Sequence, residues 1–476
     1  MTAGCLWFDE IFSVHAAEHG WVSLFDFVAQ NLIHPPLFYI LLKFWISAGG
    51  ETLFWLRLFP LLFSVIALIP FYLLCRQLKL NYQTIALALT FFAVNGALIK
   101  YAQEVRMYSL LLCLSLFSMW LFSRYFNFGK NYKILILINF FLVYTHYFGW
   151  FIVLSEVLII GVFQNIKIRQ ILIMFGILIL SYTPWIFAVW NANLTKDALM
   201  QNVGWMSRPD TGVILQFVFD VIEPFYYQQS SSEPATKFFI TFPILLIIAA
   251  AKVFYLSNWK NESEKITFYL LSMFIAVPLA LTLILSWLLP FSIWETSHLI
   301  IVFIPALILS AKFLTELNIL WLKRFLLSVI FLFMGLAFLI QIKTGKPKFI
   351  WCGWENPAQN IDTNQPQKIY VFEDLTAYHF WFALRGRENR VEIIKVNNMP
   401  GIEENKAYFL PRGFDSVKTI DANSIAGDKF WIAFSARNFD ESKPPLNFLL
   451  EKGYKIGEPK IFDAQDTKGF LVPVEK

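Results

Sequence analysis

The sequence predicts a mainly α-helical protein in which a polytopic transmembrane bundle is followed by a small extracytoplasmic α/β domain. Of its 476 residues, 57% are hydrophobic and only 15% are charged, whereas soluble domains carry roughly 25% charged residues. Apolar stretches that approach the roughly 20 residues of a membrane span recur as far as about residue 342. Beyond about residue 344 the pattern changes to short segments of β type.

Residues 1–52 are predicted to form a first external region with an acidic pair and two helices that lie at the membrane surface. These helices are expected at 11–30 and 37–48, because His34-Pro35-Pro36 would break a continuous helix. The second segment is rich in aromatic residues, as interfacial helices often are. An external N-terminus without a preceding span is unusual, so we expect a further transmembrane helix upstream of Met1.

Residues 53–343 are predicted to form the transmembrane bundle of about ten helices. The predicted spans are 53–74, 84–100, 106–122, 134–147, 149–163, 170–190, 237–256, 266–289, 299–314 and 319–342. The net charge of +5 is modest, and Lys and Arg concentrate in alternate short loops, which the positive-inside rule assigns to the cytoplasm. Residues 1–52, the intervening loops and everything after 343 then share the outer face. Membrane lipids, and no nucleic acid, are the partners that this charge pattern indicates.

Residues 344–476 are predicted to form the soluble extracytoplasmic α/β domain. The predicted strands are 368–374, 391–398, 406–411 and 429–437, and a short helix is predicted at 446–454 with its end at Gly453. The four cysteines do not have the spacing of a metal site. A disulfide between Cys5 and Cys352 would require both to face the oxidising side, and we do not predict it.

Two acidic clusters are predicted on the outer face. Asp9 and Glu10 are adjacent, and because their charges repel, one of them is expected to have a raised pKa and to be suited to accept a proton from a hydroxyl. The alternative is a solvated turn that caps the helix after it. Glu104 and Arg106 lie between two predicted spans, where an arginine could hold a phosphate and a buried Glu could orient a catalytic group. The alternative there is a polar surface hairpin.

Further polar side chains are predicted near outward helix ends. His34 could lie in a cleft, or simply at a proline turn. His146 and Tyr147 end one span, where an aromatic belt is the alternative. His298 begins a late helix, and Arg57 begins the first full span, where it could simply anchor the helix in the headgroups. The sequence has no Gly-rich phosphate loop, HExxH motif or GxSxG elbow, which disfavours a nucleotide-driven pump, a metalloprotease and a serine hydrolase.

Five stretches together carry a family resemblance: "LWFDE", "HPPLFYILLKFW", "LRLFPLLFSV", "YAQEVRMYSLLLCLS" and "YTHYFGW". In their order and approximate spacing, the chain resembles bacterial membrane glycosyltransferases of the GT-C type, which are related to protein O-mannosyltransferases and to the lipid A aminoarabinose transferase. The resemblance covers about residues 5–340 and is strongest over 5–150.

The resemblance implies a multi-pass enzyme of the cell membrane that moves a sugar from a polyprenyl-phosphate-linked donor to a hydroxyl of a glycan, lipid or protein acceptor. The active site would be extracytoplasmic, and a single displacement would invert the anomeric carbon. Asp9 maps onto the general base, with Glu10 and Glu104 orienting the base or the acceptor. The substrate-binding residues that it implies, together with those proposed above, are His34, Arg57, Gln103, Arg106, Tyr108, His146, Tyr147 and His298.

In two respects the resemblance leaves the site incomplete. Many of these enzymes need no obligatory metal while some relatives use a divalent ion, so the metal question stays open. Relatives often carry an Arg just before the residue that opens the late helix, and here Ser297 stands in that place.

Two other functions compete with the enzyme. One is a transporter or flippase of lipid-linked sugars, which would be expected to have charges along a central cavity and internal repeats. The other is a catalytically inactive relative that acts as a binding subunit. The clustering of ionisable residues at one face favours the enzyme.

Overall fold

The chain divides into two compact units, which are described separately. The computed structural model describes residues 5–31, 34–163, 167–192, 204–225, 233–257, 262–344, 352, 354, 361, 367–385, 390–403, 408–464 and 467–476. The membrane unit comprises residues 20–345, and the C-terminal unit comprises residues 346–476 together with residues 1–19. The first nineteen residues, which carry the acidic pair, therefore fold with the end of the chain.

The expected helix over 11–30 is two helices, and this prediction was wrong. Helix α1 (Phe8–Glu18) ends where His19 adopts an extended backbone with ψ 153°. Gly20, which has low helix propensity, follows, and α2 (Trp21–Asn31) then starts a new helix. The second expected segment, 37–48, is helical and forms α3 (Leu37–Gly49).

The membrane unit is helical over all ten predicted apolar stretches. Among the described residues, its remaining helices are α4 (Leu53–Ile66), α5 (Leu68–Gln77), α6 (Tyr82–Val94), α7 (Gly96–Tyr101), α8 (Tyr108–Phe128), α9 (Tyr132–Thr145), α10 (Gly149–Phe163), α11 (Ile168–Asn191), α12 (Thr211–Ile222), α13 (Phe242–Ser257), α14 (Glu262–Leu288), α15 (Ile300–Thr315) and α16 (Leu320–Lys343), and a short α-helix at Glu233–Thr236 and a π-helix at Lys237–Thr241 lead into α13. Within the described residues, six helical segments are long and apolar enough to cross a membrane: Leu53–Gln77, Tyr108–Phe128, Ile168–Asn191, Lys237–Leu256, Lys265–Leu288 and Leu320–Lys343. The protein is therefore a multi-pass membrane protein, whose other predicted spans are shorter apolar helices.

The predicted span at 84–100 is broken at Asn95. The Asn95 side chain accepts a hydrogen bond from the Leu98 N–H at 3.0 Å and so caps α7. Its amide also donates to the carbonyl oxygens of Asp220 and Val221, both at 3.0 Å, which ties this break to α12. The break directs the chain into the loop that carries Glu104 and Arg106.

Burial separates the centre of the membrane unit from its outer surface. Nearly every residue of α15 is buried, as are most residues of α8. By contrast, α16 exposes a series of large apolar side chains, including Trp321, Phe325 and Phe331. Such an apolar exposed surface suits contact with lipid tails.

The C-terminal unit is built on a seven-stranded mixed sheet. Its strands are β1 (Gln367–Val371), β2 (Val391–Asn397), β3 (Lys418–Asp421), β4 (Lys429–Ala436), β5 (Lys455–Ile456), β6 (Lys460–Asp463) and β7 (Lys468–Glu475), with helices α17 (Asp374–Ala383) and α18 (Leu446–Glu451). The order is β3-β2-β1-β4-β7-β5, with β6 also paired to β7. The first four strands of this order are parallel, and β7 is antiparallel to its neighbours.

Three of the four predicted strands are present, and α18 is followed by Gly453 at φ +83°, as expected. The strand predicted at 406–411 was wrong over its described part, 408–411, which is irregular. There the Leu410 N–H donates to the Asp374 carboxylate at 3.1 Å. A side chain, and not a neighbouring strand, thus satisfies this backbone group.

The Cys5–Cys352 disulfide, which we did not predict, is present in the C-terminal unit, with the two Cα atoms 5.4 Å apart. The two cysteines are 347 positions apart in sequence. Their spacing therefore gave no signal, because only the folding of α1 with the end of the chain brings them together.

Candidate active site

The loop between α7 and α8 carries Glu104 and Arg106, the two charged residues of the stretch "YAQEVRMYS", and both are buried. The exposed fractions of Glu104 and Arg106 are 6% and 3%. The loop is held by the Ser109 hydroxyl, which donates to the Tyr101 carbonyl at 2.7 Å, and by the Gln103 amide, which donates to the Ile99 carbonyl at 3.0 Å. Burying a guanidinium costs free energy unless other groups pair with it. The groups around Arg106 therefore indicate which ligands this loop can bind.

Arg106 contacts a residue far away in the sequence. Its Nη2 lies 3.3 Å from Nε2 of His34, and its guanidinium lies 5.8 Å from the centre of the Tyr108 ring. Arginine has no acceptor, so Arg106 donates and the lone pair of His34 Nε2 accepts. The proton of a neutral His34 is therefore on Nδ1.

Three histidines from three separate loops meet beside Arg106, and we call His34, His146 and His298 the histidine cluster. The rings of His34 and His146 are stacked with their centres 4.4 Å apart. The His298 ring lies 5.0 Å from that of His146 and 6.0 Å from that of His34. Tyr147, also predicted from the sequence, lies with its ring 6.4 Å from His34.

The hydrogen bonds of the cluster fix where its protons are. Nδ1 of His146 accepts from the Phe148 N–H at 3.1 Å, so the proton of a neutral His146 is on Nε2. Nδ1 of His298 lies 3.4 Å from the Ile293 carbonyl oxygen, to which it can only donate. The other ring nitrogens, Nδ1 of His34 and Nε2 of His146, are buried with no hydrogen-bond partner among the described residues.

The histidines of the cluster are neutral at neutral pH. Burial, followed by the neighbouring histidines and Arg106, lowers the pKa of His34 well below its usual value. Burial, His298 and Arg106 do the same for the pKa of His146. Burial also lowers the pKa of His298 to about 4. A neutral imidazole has one N–H, so His34 and His146 each offer one unsatisfied donor.

The histidine cluster does not fit a divalent metal ion in this arrangement. One candidate ligand nitrogen from each histidine lies within 4.8 Å of the others. However, Arg106 occupies the lone pair of His34, and Phe148 occupies that of His146. Of the three histidines, only His298 has a ring-nitrogen lone pair that accepts no hydrogen bond from the described residues. The Arg106 guanidinium would also repel a cation. Two buried N–H donors without an acceptor among the described residues, beside a guanidinium, suit an oxyanion instead.

The sequence analysis missed an ion-pair network near this loop. Asp220, at the end of α12, lies 3.6 Å from the Lys237 ammonium and accepts a hydrogen bond from Thr296 at 3.2 Å. Glu223 lies 3.9 Å from the same ammonium. Isolated acids within the apolar stretch "FVFDVIEPF" were the available signal. Arg57, which was predicted, lies half-buried near the start of α4.

In the C-terminal unit, the two residues of the acidic pair, Asp9 and Glu10, have different surroundings. Glu10 is only 2% exposed, and its Oε2 accepts from the Trp7 N–H at 3.0 Å, which caps the first turn of α1. Asp9 is partly exposed in the same turn. The capping role considered for the pair is thus seen for Glu10, and Asp9 is the carboxylate that remains partly accessible.

No family model matches the sequence, and a search of curated proteins found no match. Solved structures do match. The crystal structure of ArnT from Cupriavidus metallidurans in the apo state aligns with a TM-score of 0.57 at 11% identity, covering 92% of this chain and 87% of that one. The structure of ArnT bound to undecaprenyl phosphate aligns with a TM-score of 0.55 at 10% identity, covering 92% and 88%. The chain therefore has the fold of the GT-C type membrane glycosyltransferases, as the resemblance in its sequence implied.

Proposed function

We propose that the protein is a membrane glycosyltransferase that moves a sugar from a polyprenyl-phosphate-linked donor to a hydroxyl of a glycan, lipid or protein acceptor on the extracytoplasmic face. Its fold supports this proposal, since one of the ArnT structures that share it holds undecaprenyl phosphate. The Cys5–Cys352 disulfide supports the extracytoplasmic orientation, because disulfides persist in oxidising compartments.

One observation carries the proposal: the N–H groups of neutral His34 and His146 are buried with no hydrogen-bond partner among the described residues, and they lie beside the Arg106 guanidinium. A phosphate oxygen can accept from the guanidinium and from the N–H groups of His34 and His146. These histidines donate as neutral imidazoles, each through its single N–H, so the proposed site does not need them to be positively charged. They also supply donors where Ser297 replaces the arginine of relatives.

The reaction needs a base and a stabilised leaving group. Asp9 takes the proton from the acceptor hydroxyl as its oxygen bonds to the anomeric carbon. The bond from that carbon to the phosphate oxygen breaks, and polyprenyl phosphate leaves with the electron pair. Arg106 and the two histidine N–H groups stabilise the negative charge that develops there. The single displacement inverts the anomeric carbon. Glu10 holds the turn that carries Asp9, and Glu104 orients the acceptor.

The test uses the full chain in proteoliposomes with undecaprenyl phosphate carrying a radiolabelled hexose or pentose, and envelope extract as acceptor. We expect Asp9→Asn to lower kcat by roughly 10²–10⁴-fold, the usual contribution of a general base. The matched control is Asp26→Asn, which changes an exposed aspartate of α2. If Asp9→Asn keeps full transfer while folding normally, Asp9 is not the base.

The phosphate site is tested by binding alone, without turnover. We expect Arg106→Gln to weaken the binding of undecaprenyl phosphate, measured as the thermal stabilisation that this lipid gives in detergent. Arg208→Gln, at an exposed arginine, is the control and should bind normally. Equal stabilisation of the two variants would contradict the site. Lipid transport without formation of a glycosylated product would instead favour a flippase.

A further inference from the structure

Helix α1, which carries Asp9, belongs to the C-terminal unit. The Cys5–Cys352 disulfide fixes the segment just before it. The Phe8 ring packs against Tyr378 of α17 with ring centres 5.2 Å apart. At only 11 residues, α1 is shorter than the roughly 12–15 residues at which an isolated helix becomes marginally stable. Its position therefore depends on what it packs against.

Tyr378 of α17 contacts two residues of α1. Besides Phe8, it contacts His15, whose Nδ1 lies 2.9 Å from the Tyr378 hydroxyl. Phe8 and His15 are seven residues apart, so they lie on the same face of α1. The Tyr378 ring is also stacked on Trp381, with ring centres 5.4 Å apart, and Trp381 in turn packs against His15. The tyrosine is completely buried, which leaves it little freedom to move.

The negative charge of the Asp9 carboxylate acts on the same tyrosine. Burial and the Asp9 charge together raise the pKa of Tyr378 well above its usual value. The same two causes raise the pKa of Tyr408, whose ring lies 5.1 Å from that of Phe8. Burial, with His19 and Arg385, lowers the pKa of His15 to about 3, so the partner of the Tyr378 hydroxyl is a neutral imidazole.

We propose that Tyr378 is a positioning residue for Asp9. Held by Trp381 and bonded to His15, Tyr378 fixes the rotation of α1 about its axis, and this rotation sets where the Asp9 carboxylate lies. The inference rests on the proposed function of Asp9 as the base. Because a base misplaced by about 1 Å can cost about 10²-fold in rate, loss of this contact should be visible in kcat.

The test removes one oxygen atom. Tyr378→Phe keeps the ring packing and deletes the hydrogen bond to His15. Its matched control is Tyr370→Phe, at a buried tyrosine of β1 whose hydroxyl donates to the Ala426 carbonyl at 2.7 Å. We expect Tyr378→Phe to lower kcat about tenfold or more, with KM for the lipid-linked donor unchanged, and Tyr370→Phe to behave as wild type. Equal kcat for the two variants would overturn the inference.

A second measurement does not depend on activity. Amide hydrogen exchange over residues 8–18 should become faster in Tyr378→Phe than in Tyr370→Phe, while exchange over α18 stays the same. Unchanged exchange in α1 overturns the positioning role. A fully active Asp9→Asn variant overturns the proposed function and this inference with it. An inactive Asp9→Asn variant combined with a fully active Tyr378→Phe variant overturns the inference alone.

Discussion

Glu156 in α10 is a completely buried carboxyl group within the membrane unit. Its Oε1 lies 2.6 Å from the Ser118 hydroxyl, and its Oε2 accepts from the Asn139 amide at 2.7 Å. The same Ser118 hydroxyl lies 2.7 Å from Oδ1 of Asn139. Ser118 has one proton and cannot donate to both neighbours, so all three contacts are hydrogen bonds only if Glu156 carries a proton. A neutral acid then closes a ring that joins α8, α9 and α10.

This ring predicts that Glu156→Gln is tolerated and Glu156→Ala is not. The Gln amide replaces the acid O–H as donor, and its carbonyl replaces the acceptor, so the ring survives. Alanine leaves Ser118 and Asn139 buried without these partners, which costs about 1–3 kcal/mol. Thermal unfolding in detergent compares the two variants. A Gln variant as unstable as the Ala variant would show that Glu156 is ionised.

At the residue scale, the sequence suggested candidate site residues but not their hydrogen bonds or the positions of their protons. His34, Arg106, His146 and His298 could each be proposed because polar residues near outward helix ends are unusual in an apolar chain. Their tautomers follow from contacts with Arg106 and with a backbone N–H, which only the fold supplies. The positions of the protons on the ring nitrogens, which favour an oxyanion over a metal ion, were therefore not predictable from the sequence.

At the scale of elements, the junction of α9 and α10 holds His146 in a tight backbone turn. Gly149 opens α10, and a Cβ atom there would lie 2.6 Å from the carbonyl oxygen of Leu142. A backbone carbonyl in a helix cannot move aside as a flexible side chain can. The position therefore requires glycine for the close approach of two helices, even though its own backbone is helical.

We expect Gly149→Ala to destabilise the protein and to weaken the binding of undecaprenyl phosphate, because the turn that orients His146 must shift. The control is Gly176→Ala in α11, where a Cβ meets nothing within 4 Å. That change should be neutral or stabilising by about 0.5–1 kcal/mol, the usual preference for alanine in a helix. Thermal unfolding with and without the lipid measures both effects. Identical behaviour of the two variants would show that the junction is adaptable.

The helices and strands also show which features the apolar pattern of the sequence could not predict. All-round apolar segments are recognisable because lipid and protein accept the same residues, so each predicted span is helical over most of its length. The interruption at Asn95 has no counterpart in the apolar pattern, because it depends on hydrogen bonds to α12, more than a hundred residues away. The short strands β5 and β6 were likewise missed, since each exists only by pairing with β7.

At the scale of the whole molecule, sidedness is the property to test first. We expect a cysteine introduced at exposed Glu458 to be labelled by a membrane-impermeant maleimide in intact spheroplasts. A cysteine at exposed Lys130, in a basic loop, should be labelled only after permeabilisation. The reverse pattern would place the C-terminal unit in the cytoplasm and remove the proposed extracytoplasmic site.

The C-terminal unit is expected to be sensitive to acid through His379. Burial lowers the pKa of His379 to about 3, from about 6.5 in the unfolded chain. The unfolded state therefore binds the proton first, and stability falls as the pH drops from about 6.5 towards 3. His379→Phe should lose less stability over this range, as thermal unfolding at pH 7, 6, 5 and 4 would show. Parallel curves for variant and wild type would exclude His379 as a cause.

The Cys5–Cys352 bond also has a consequence for how the protein is made. Chains are synthesised from the N-terminus, so α1 emerges before α4–α16, while Cys352 and Tyr378 come only after α16. The segment with the acidic pair must therefore wait undocked until the whole bundle has been inserted. The segment that carries Asp9 and Glu10 is thus made before the bundle but completes its contacts after it, and a chain truncated before Cys352 lacks both the disulfide and the Tyr378 contact.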